Sequence, residues 1–443
     1  MHSPLSRRLA EIVGGAHVLT GAECAPYVVE GRTPKCAVFP GSREEIAAVL
    51  GVAADSATPV MPWGGGTRMA LGSPPAHPGL VLGLRRLARL LEHEPGDLTA
   101  TVEAGMTLGT FQAELSRRGQ WLSLDPPQAA RATLGGILAS NASGPRRHLY
   151  GTARDLLIGI TMVLADGAIV RGGGKVVKNV AGYDLPKLAV GSFGTLGVIG
   201  EATVKLRPRP DCDRLVVARF STLAEAGQAA RAVMASDLIP SALDVVDGEG
   251  LRALDGEGAP GGAALLVGVD GIAEQVEWQC GEVGRLLKDC GLAGVRVLDG
   301  TERDEAWRAV GEMPQRAFTE ATAGMKWGVL PTQVAELIAR AGAVASQRGL
   351  RAAFVAHAGV GIVSAVLGAA GADAERVAST LGEWRALVNG SGGHALVEWA
   401  PLAVKERIAV WDTPDPDSRI MRQLKAELDP RGILNPGRFL GGI

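Results

Sequence analysis

The hydrophobic pattern changes period repeatedly along the first half of the chain, as expected of short strands alternating with helices. Leu5, Leu9, Ile12 and Val13 share one helical face, while Glu11 and His17 break the run, so Arg7-Arg8 precedes an amphipathic helix rather than the apolar core of a secretion signal. Residues 36–39 form a β-type run. Ser42, with Glu45 three residues on, then opens a helix whose buried stripe is Ile46, Val49, Leu50 and Ala53. A strand at 59–63 runs into Gly64-Gly65-Gly66-Thr67. Another lies at 99–103, and Thr107 caps a helix that buries Leu108, Phe111 and Leu115. Residues 156–164 and 168–170 flank Asp166-Gly167, a hairpin signal.

After the stiff Arg207-Pro-Arg-Pro210 the texture changes, and a domain boundary is expected there. Longer amphipathic helices at 223–236, 272–290 and 331–348 separate strand-like runs such as 263–269 and 353–356. Residues 352–372 carry no formal charge, but their Ala/Gly content and His357 suit buried strands around a turn better than a membrane helix. A short helix at 420–427 leads into Asn435-Pro436-Gly437-Arg438, a Gly/Pro-punctuated end that reads as docking back onto the body.

Composition narrows the function classes. The 45 Lys+Arg nearly balance 47 Asp+Glu, which excludes sequence-blind electrostatic nucleic-acid binding. Hydrophobic residues make up 47% and charged ones 21%, so the chain folds, and its 443 residues suit two or three domains. The five cysteines form no C-x-x-C pair, which disfavours a disulfide framework, a structural zinc site or an iron–sulfur cluster in this chain. The 61 glycines, lying between apolar runs, mark places where the backbone turns or something approaches it closely.

The glycine clusters do not match the common phosphate loops. At Gly172-Gly173-Gly174-Lys175 the Ser/Thr of a P-loop is replaced by Val176; after Gly64-Gly65-Gly66, Met69 takes a dinucleotide-fingerprint glycine's place and Pro74, Pro75 and Pro78 replace its helix. Pro62–Thr67 remains a strand end with side-chain-free residues whose N–H groups can converge on a diphosphate, or a plain tight turn. Two further clusters repeat the chemistry. One runs through Pro127, Thr133, Gly135, Gly136, Asn141, Ser143, Gly144 and Tyr150; the other is Gly194, Thr195, Val198 and Ile199.

Taken in order, Pro-Trp-Gly-Gly-Gly-Thr at 62–67, Ala-Thr-Leu-Gly-Gly at 132–136, Ser-Gly-Pro-Arg-Arg at 143–147, Gly-Thr-Ala-Arg-Asp at 151–155, Lys-Asn-Val-Ala-Gly-Tyr-Asp-Leu at 178–185, Gly-Ser-Phe-Gly-Thr-Leu-Gly-Val at 191–198 and Asn-Pro-Gly-Arg at 435–438 resemble the FAD-binding subunits of bacterial glycolate oxidase, of the vanillyl-alcohol-oxidase/p-cresol-methylhydroxylase (PCMH) flavoprotein fold. The resemblance implies an α+β protein with a two-subdomain PCMH-type FAD-binding fold, an α+β cap and a C-terminus returning to the FAD domain. It divides the chain into an N-terminal helical segment at 1–35, the FAD domain at 36–208, the cap or partner domain at 209–418 and the returning segment at 419–443. Gly64, Gly65, Gly66 and Thr67, after Pro62, would bind the pyrophosphate. Pro127, Thr133, Gly135, Gly136, Asn141, Ser143, Gly144 and Tyr150 would line the phosphate and isoalloxazine side, Gly194, Thr195, Val198 and Ile199 the adenosine end, and Asn435 the ring. FAD is expected to be non-covalent, because 62–67 offers no His or Cys for attachment.

Oxidising a 2-hydroxy acid needs a cation for the carboxylate, a base for the hydroxyl proton and a route for hydride to the flavin. Catalytic relatives carry a His-rich metal motif, of which residues 357–364 keep only His357; Val360 and Ser364 replace the acid and the second imidazole. A later Glu-His pair is reduced to Glu398-Trp399, so no metal is expected. His357 is either a hydrogen-bonded core or interface histidine or a surviving acid/base, with Lys326 and Glu398 as further catalytic candidates. Arg146-Arg147-His148 reads as a solvated loop or as a contact to flavin phosphates or a partner, and Tyr183 as a flavin cover or a structural hydrogen bond. The implied function is a FAD-binding subunit of a multi-subunit glycolate dehydrogenase, with a second FAD-linked catalytic subunit, an iron–sulfur subunit passing electrons to quinone, and a 2-hydroxy acid substrate. It would be cytoplasmic, with any membrane contact made through partners. A self-sufficient FAD-linked oxidase and a non-catalytic flavin-fold scaffold are the alternatives.

Overall fold

A computed structural model of the chain describes residues 4–77, 79–175, 182–255, 262–368, 371, 373–413 and 416–443. The expected helices form where caps and apolar stripes coincide. Helix Pro4–Val13 buries Leu9 and Val13, with Leu5 and Ile12 packed at the margin. Ser42 Oγ caps Arg43–Asp55 by accepting from the N–H of Glu45, but the Glu45 carboxylate reaches Gly41 N–H rather than that of Ser42. Thr107 caps Leu108–Ser116 in the same way.

The chain divides into two compact units, 1–143 with 152–209 and 413–443, and 144–151 with 210–412. In the first unit, strands β1 (Val18–Thr20), β2 (Cys36–Val38), β3 (Val60–Trp63) and β4 (Leu80–Gly83) form a sheet in the order β1-β2-β4-β3, parallel from β2 to β3. Seven more strands follow in this unit: β5 (Leu90–Glu94), β6 (Thr99–Glu103), β7 (Gln120–Trp121), β8 (Leu157–Val163), β9 (Ile169–Gly173), β10 (Val198–Lys205) and β11 (Arg207–Pro208). Five of them make an antiparallel sheet in the order β5-β6-β10-β8-β9, and β7 pairs with β11. The hairpin signal at Asp166-Gly167 joins β8 to β9, with Gly167 at φ 86° and the Asp166 carboxylate accepting from Ala168 N–H.

The C-terminal segment returns to this unit. Val60 N–H donates to Ile433 C=O and Asn435 N–H to Val60 C=O, at 2.7 and 2.9 Å, so the segment extends the free edge of β3. Buried Asp429 accepts from the N–H groups of Ile433 and Leu434, and the Arg438 guanidinium donates to the carbonyls of Met69 and Leu71, each at 2.6 Å.

The second unit is built on one antiparallel sheet of eight strands: β12 (Cys212–Phe220), β13 (Ala242–Asp247), β14 (Ala263–Gly271), β15 (Leu292–Leu298), β16 (Ala321–Gly328), β17 (Arg351–His357), β18 (Ile362–Gly368) and β19 (His394–Trp399). Its order is β15-β12-β14-β13-β17-β18-β16-β19. The uncharged stretch that could have been mistaken for a membrane span is the β17–β18 pair, and among the described residues no helix is long and apolar enough to cross a membrane. Alternation sorts the side chains. Val245, Val267, Met325, Trp327, Phe354, Ala356, Val363 and Val397 point to one face, under helices Leu223–Met234, Ala273–Leu287, Val334–Gln347 and Ala374–Gly390. Trp327, Phe354 and Trp384 pack there with ring centroids 5.5 to 5.7 Å apart, which fixes the middle of that layer.

At the end of β13, Asp247 Oδ1 accepts from the N–H groups of Gly250 and Phe354. Burial pushes its carboxyl from 3.8 to about 6, against those two hydrogen bonds. The folded state therefore binds more protons than the unfolded one between about pH 4 and 6, and stability falls as pH rises through that window. The 6 − 3.8 difference, at about 1.4 kcal/mol per unit, amounts to about 3 kcal/mol at neutral pH. Asp247→Asn keeps the acceptor without the charge. Thermal unfolding is expected to show a higher Tm for the variant at pH 8 and no difference near pH 4; equal Tm values at pH 8 would assign the buried charge no cost.

Candidate functional site

The first unit brings three of the glycine clusters' neighbourhoods together. An added Cβ on Gly64 would come 2.1 Å from Thr133 Oγ1, and one on Gly65 1.8 Å from the Arg131 carbonyl oxygen. The glycines of 62–67 thus let that loop lie directly on 131–133, a packing role that the sequence pattern alone does not separate from ligand contact. Gly66 sits at φ 69°, a conformation glycine adopts without strain. Across Gly64, Gly65, Gly66 and Thr67, no backbone N–H finds an acceptor among the described residues. Successive unpaired donors at a strand end suit a diphosphate.

Thr133 caps the helix Leu134–Ser140 through Gly136 N–H, and Asn141, at its C-cap, is left-handed at φ 47°. An added Cβ on Gly135 would lie 2.8 Å from that of Ala104. Asn435 is left-handed too, at φ 44°, and its amide donates to Phe193 C=O at 2.6 Å, beside Gly194. Thr195 is buried with its hydroxyl on Ser192 C=O, and Val198 and Ile199 begin β10 in the core. Asn141 Oδ1, Asn435 Oδ1 and Ser192 Oγ are buried without a partner among the described residues. Orphaned acceptors and donors of this kind fit a polar ligand or an ordered water. Pro62 and Pro127 complete the set in this unit, with Ser143. Residues 178–181 of the Lys-Asn-Val-Ala motif lie outside the described residues, and Tyr183 is 93% exposed.

Gly144 and Tyr150 belong to the second unit, in a segment that packs there instead of with its sequence neighbours. Arg146 of this segment sits in a carboxylate nest, donating to Asp213 at 2.5 Å and Asp270 at 2.9 Å, and the Tyr150 hydroxyl donates to Asp270. Arg303 also pairs with Asp213, at 3.2 Å. The solvated-loop reading of 146–148 is therefore corrected: the guanidinium is only 12% exposed and serves as an anchor.

The sheet face opposite that helical layer is apolar around Leu215, Val246, Leu266, Val355 and Val366, where helices Gly248–Asp255 and Gly300–Arg316 pack on it, and it carries polar groups toward one end of the strands. Asp244, His357, Ile362, Gly328 and His394 form one row across β13, β17, β18, β16 and β19; Val246, Val355, Ser364, Lys326 and Leu396 form the next. The His357 imidazole lies with Nδ1 2.9 and 3.0 Å from the two oxygens of Asp244, which is fully buried. Donation from Nδ1 leaves Nε2 as the basic nitrogen. Lys326 stands one row on with β18 between, about 10 Å across at ~4.8 Å per strand. Glu398 lies at the register shift between β16 and β19, farther from the imidazole, so the three catalytic candidates share a face without forming one cluster. Among the described residues no group of three or more His, Cys, Asp or Glu side chains could hold a metal ion.

Sequence reasoning missed Asp244 and the placement of His148. Asp244 is one of several acids in strand-like runs, and only the register across β13 and β17 pairs it with His357. The His148 ring abuts Gly359, where an added Cβ would lie 2.4 Å from Nδ1. Burial lowers the basicity of His148, with the charge of Asp244 acting in the opposite direction.

Comparison with known families decides what this architecture is. Residues 34–173 match the family described as FAD binding domain, and 209–439 match FAD linked oxidases, C-terminal domain. This chain is a FAD-linked oxidase. It binds FAD and is an FAD-dependent oxidoreductase of the GlcD-like group. Its relatives include glycolate oxidase subunit GlcD of Bacillus subtilis (strain 168), 30% identical over 92% of this chain and 89% of that protein. A D-lactate dehydrogenase of Archaeoglobus fulgidus is 31% identical over 91% and 90%. Glycolate oxidase subunit GlcE of Escherichia coli (strain K12) is 36% identical over 50% of this chain and 63% of that one. The fold is that of p-cresol methylhydroxylase, whose structure with substrate bound aligns at TM-score 0.78 and 17% identity over 98% of this chain and 96% of that one. The expected PCMH-type fold and FAD are thereby both met.

Proposed function

We propose that this FAD-linked oxidase is a subunit of a heteromeric glycolate-class 2-hydroxy acid dehydrogenase and that it carries the proton-accepting group itself. The observation that carries this reading is the Asp244–His357 pair, in one row across the cap sheet. His357 Nε2 takes the hydroxyl proton, and the buried carboxylate stabilises the resulting imidazolium. Lys326, on the same face, attracts the substrate carboxylate. Bound FAD supplies the acceptor for the hydride that leaves the carbinol carbon. The diphosphate of FAD is assigned to the unpaired N–H groups of Gly64–Thr67, and the remaining candidates of the same unit, at 127–143, 194–199 and Asn435, to its other parts. The flavin is held without a covalent bond, since 62–67 contains neither His nor Cys. Residues 36–208 are assigned as the FAD domain, 209–418 as the cap and 419–443 as the returning segment.

Likeness to both GlcD and GlcE, two different subunits of glycolate oxidase, supports a second FAD-linked chain as partner. The absence of a C-x-x-C pair supports a separate iron–sulfur subunit, with electrons going on to quinone and any membrane contact made through these partners. The test is anaerobic addition of glycolate and of D-lactate to the purified chain. Bleaching of the flavin bands by the chain alone is expected; bands that bleach only in the presence of partner subunits would move the oxidation to a partner.

A further inference from the structure

The cap sheet ends differently on its two sides. At β19 the chain covers its own edge: Val397 N–H donates to Val410 C=O at 2.9 Å, and Ala395 N–H to the Asp412 carboxylate at 2.7 Å. At the other end stands β15, paired with β12 alone. Among the described residues the remaining N–H and C=O groups of Leu292–Leu298 meet no partner. A row of free backbone groups is a template for a further strand, and proteins usually blunt it with Pro, Lys or a bulge. Here a register shift at Ala293 limits the regular stretch to Gly294–Leu298, which contains neither Pro nor Lys.

Val295 and Val297 stand opposite Ala218 and Val216 and so point to the side of helix Ala273–Leu287, yet they are 45% and 51% exposed. Arg296, between them, points to the other side and is ion-paired with Glu302 of helix Gly300–Arg316, both side chains well exposed. These residues decide the occupant. Antiparallel pairing of Gly294–Leu298 with the same stretch of a second copy, about a two-fold axis at Arg296, sets Val295 opposite Val297 twice and makes one cluster of four valines. It sets Leu298 opposite Gly294, where nothing lies within 4 Å of an added Cβ. At the axis the two Arg296 side chains meet, a repulsive pairing by itself, but each brings its Glu302, so that charges alternate around the axis. The pairing adds about four to six main-chain hydrogen bonds. We propose that β15 is a self-association edge through which two copies of this chain join their cap sheets into one antiparallel sheet. The inference goes beyond the substrate reading above and does not rest on it.

Sedimentation equilibrium of the full, flavin-loaded chain tests this, over a dilution series reaching about 100 μM, well above a micromolar Kd. A reversible monomer–dimer equilibrium is expected. Val295→Lys puts an ammonium into the valine cluster at a half-exposed position and should weaken dimerisation at least about tenfold, with flavin content and Tm close to wild type. Arg296→Glu should do the same, because four carboxylates would then meet at the axis. Adding Glu302→Arg to it restores the alternation with the signs reversed and should return dimerisation to within about threefold of wild type. A wild type that stays monomeric throughout overturns the proposal and leaves the edge to a different chain. A dimer that Val295→Lys does not weaken overturns it too, since the contact would then lie elsewhere. If Arg296→Glu dissociates the dimer and the reversed pair does not recover it, the pairing about Arg296 is overturned. None of these measurements reads turnover, so failure of the hydroxy-acid reading leaves their outcome untouched.

Discussion

Gly65→Ala protein is expected to leave purification without flavin colour, its flavin content at least about tenfold below wild type. The new Cβ would lie 1.8 Å from the Arg131 carbonyl oxygen, a backbone atom that cannot turn aside. The two loops must separate, and overpacking of this kind commonly costs about 1–3 kcal/mol before any ligand contact is counted. The donors of Gly64–Thr67 would then no longer converge. Gly64→Ala should be milder. Its Cβ meets the Thr133 hydroxyl at 2.1 Å, a side-chain atom that can rotate at the expense of its hydrogen bond from Gly136 N–H. Gly96→Ala, with nothing within 4 Å of its Cβ, is the silent control. Flavin absorbance per chain and the melting curve of each variant check the series. Full flavin retention in Gly65→Ala would detach the 62–67 loop from the cofactor.

This contrast shows what the chain discloses about itself. The glycine clusters, the capped helices and the hairpin at Asp166-Gly167 were legible because each is a local device whose residues sit within a few positions of one another. The returning C-terminus was legible as well, from its Gly/Pro punctuation, though the burial of Arg438 against the carbonyls of Met69 and Leu71 was not. What could not be read is non-local. Asp244 becomes significant only when β13 lies beside β17, more than a hundred residues away, and Trp399 changes faces only because of a one-residue bulge that apolar alternation along β19 does not announce. Segment 144–151 misled for the same reason. Its Arg146 looks solvent-facing until the strands bring Asp213 and Asp270 to it.

The same long-range pairing makes Asp244→Asn the sharpest probe of the chemistry. In the wild type both carboxylate oxygens lie within 3.0 Å of His357 Nδ1, which fixes the proton on that nitrogen and leaves the Nε2 lone pair for the substrate hydroxyl. An amide in the same place can donate to Nδ1, which moves the imidazole proton to Nε2 and removes the base while hardly altering shape. It also withdraws the negative charge that would balance an imidazolium in a buried setting. A loss of about 100- to 10,000-fold in kcat is expected, the range that a positioned general base contributes, with flavin content and Tm close to wild type. His357→Gln should fall in the same range, and the double variant should lose little more, because the two groups act as one unit. Steady-state reduction of an artificial electron acceptor by the flavin-loaded variants, with glycolate and D-lactate, measures this. If Asp244→Asn turns over within about threefold of wild type, the pair is structural, and the proton must be taken by a group elsewhere on the face or on a partner subunit.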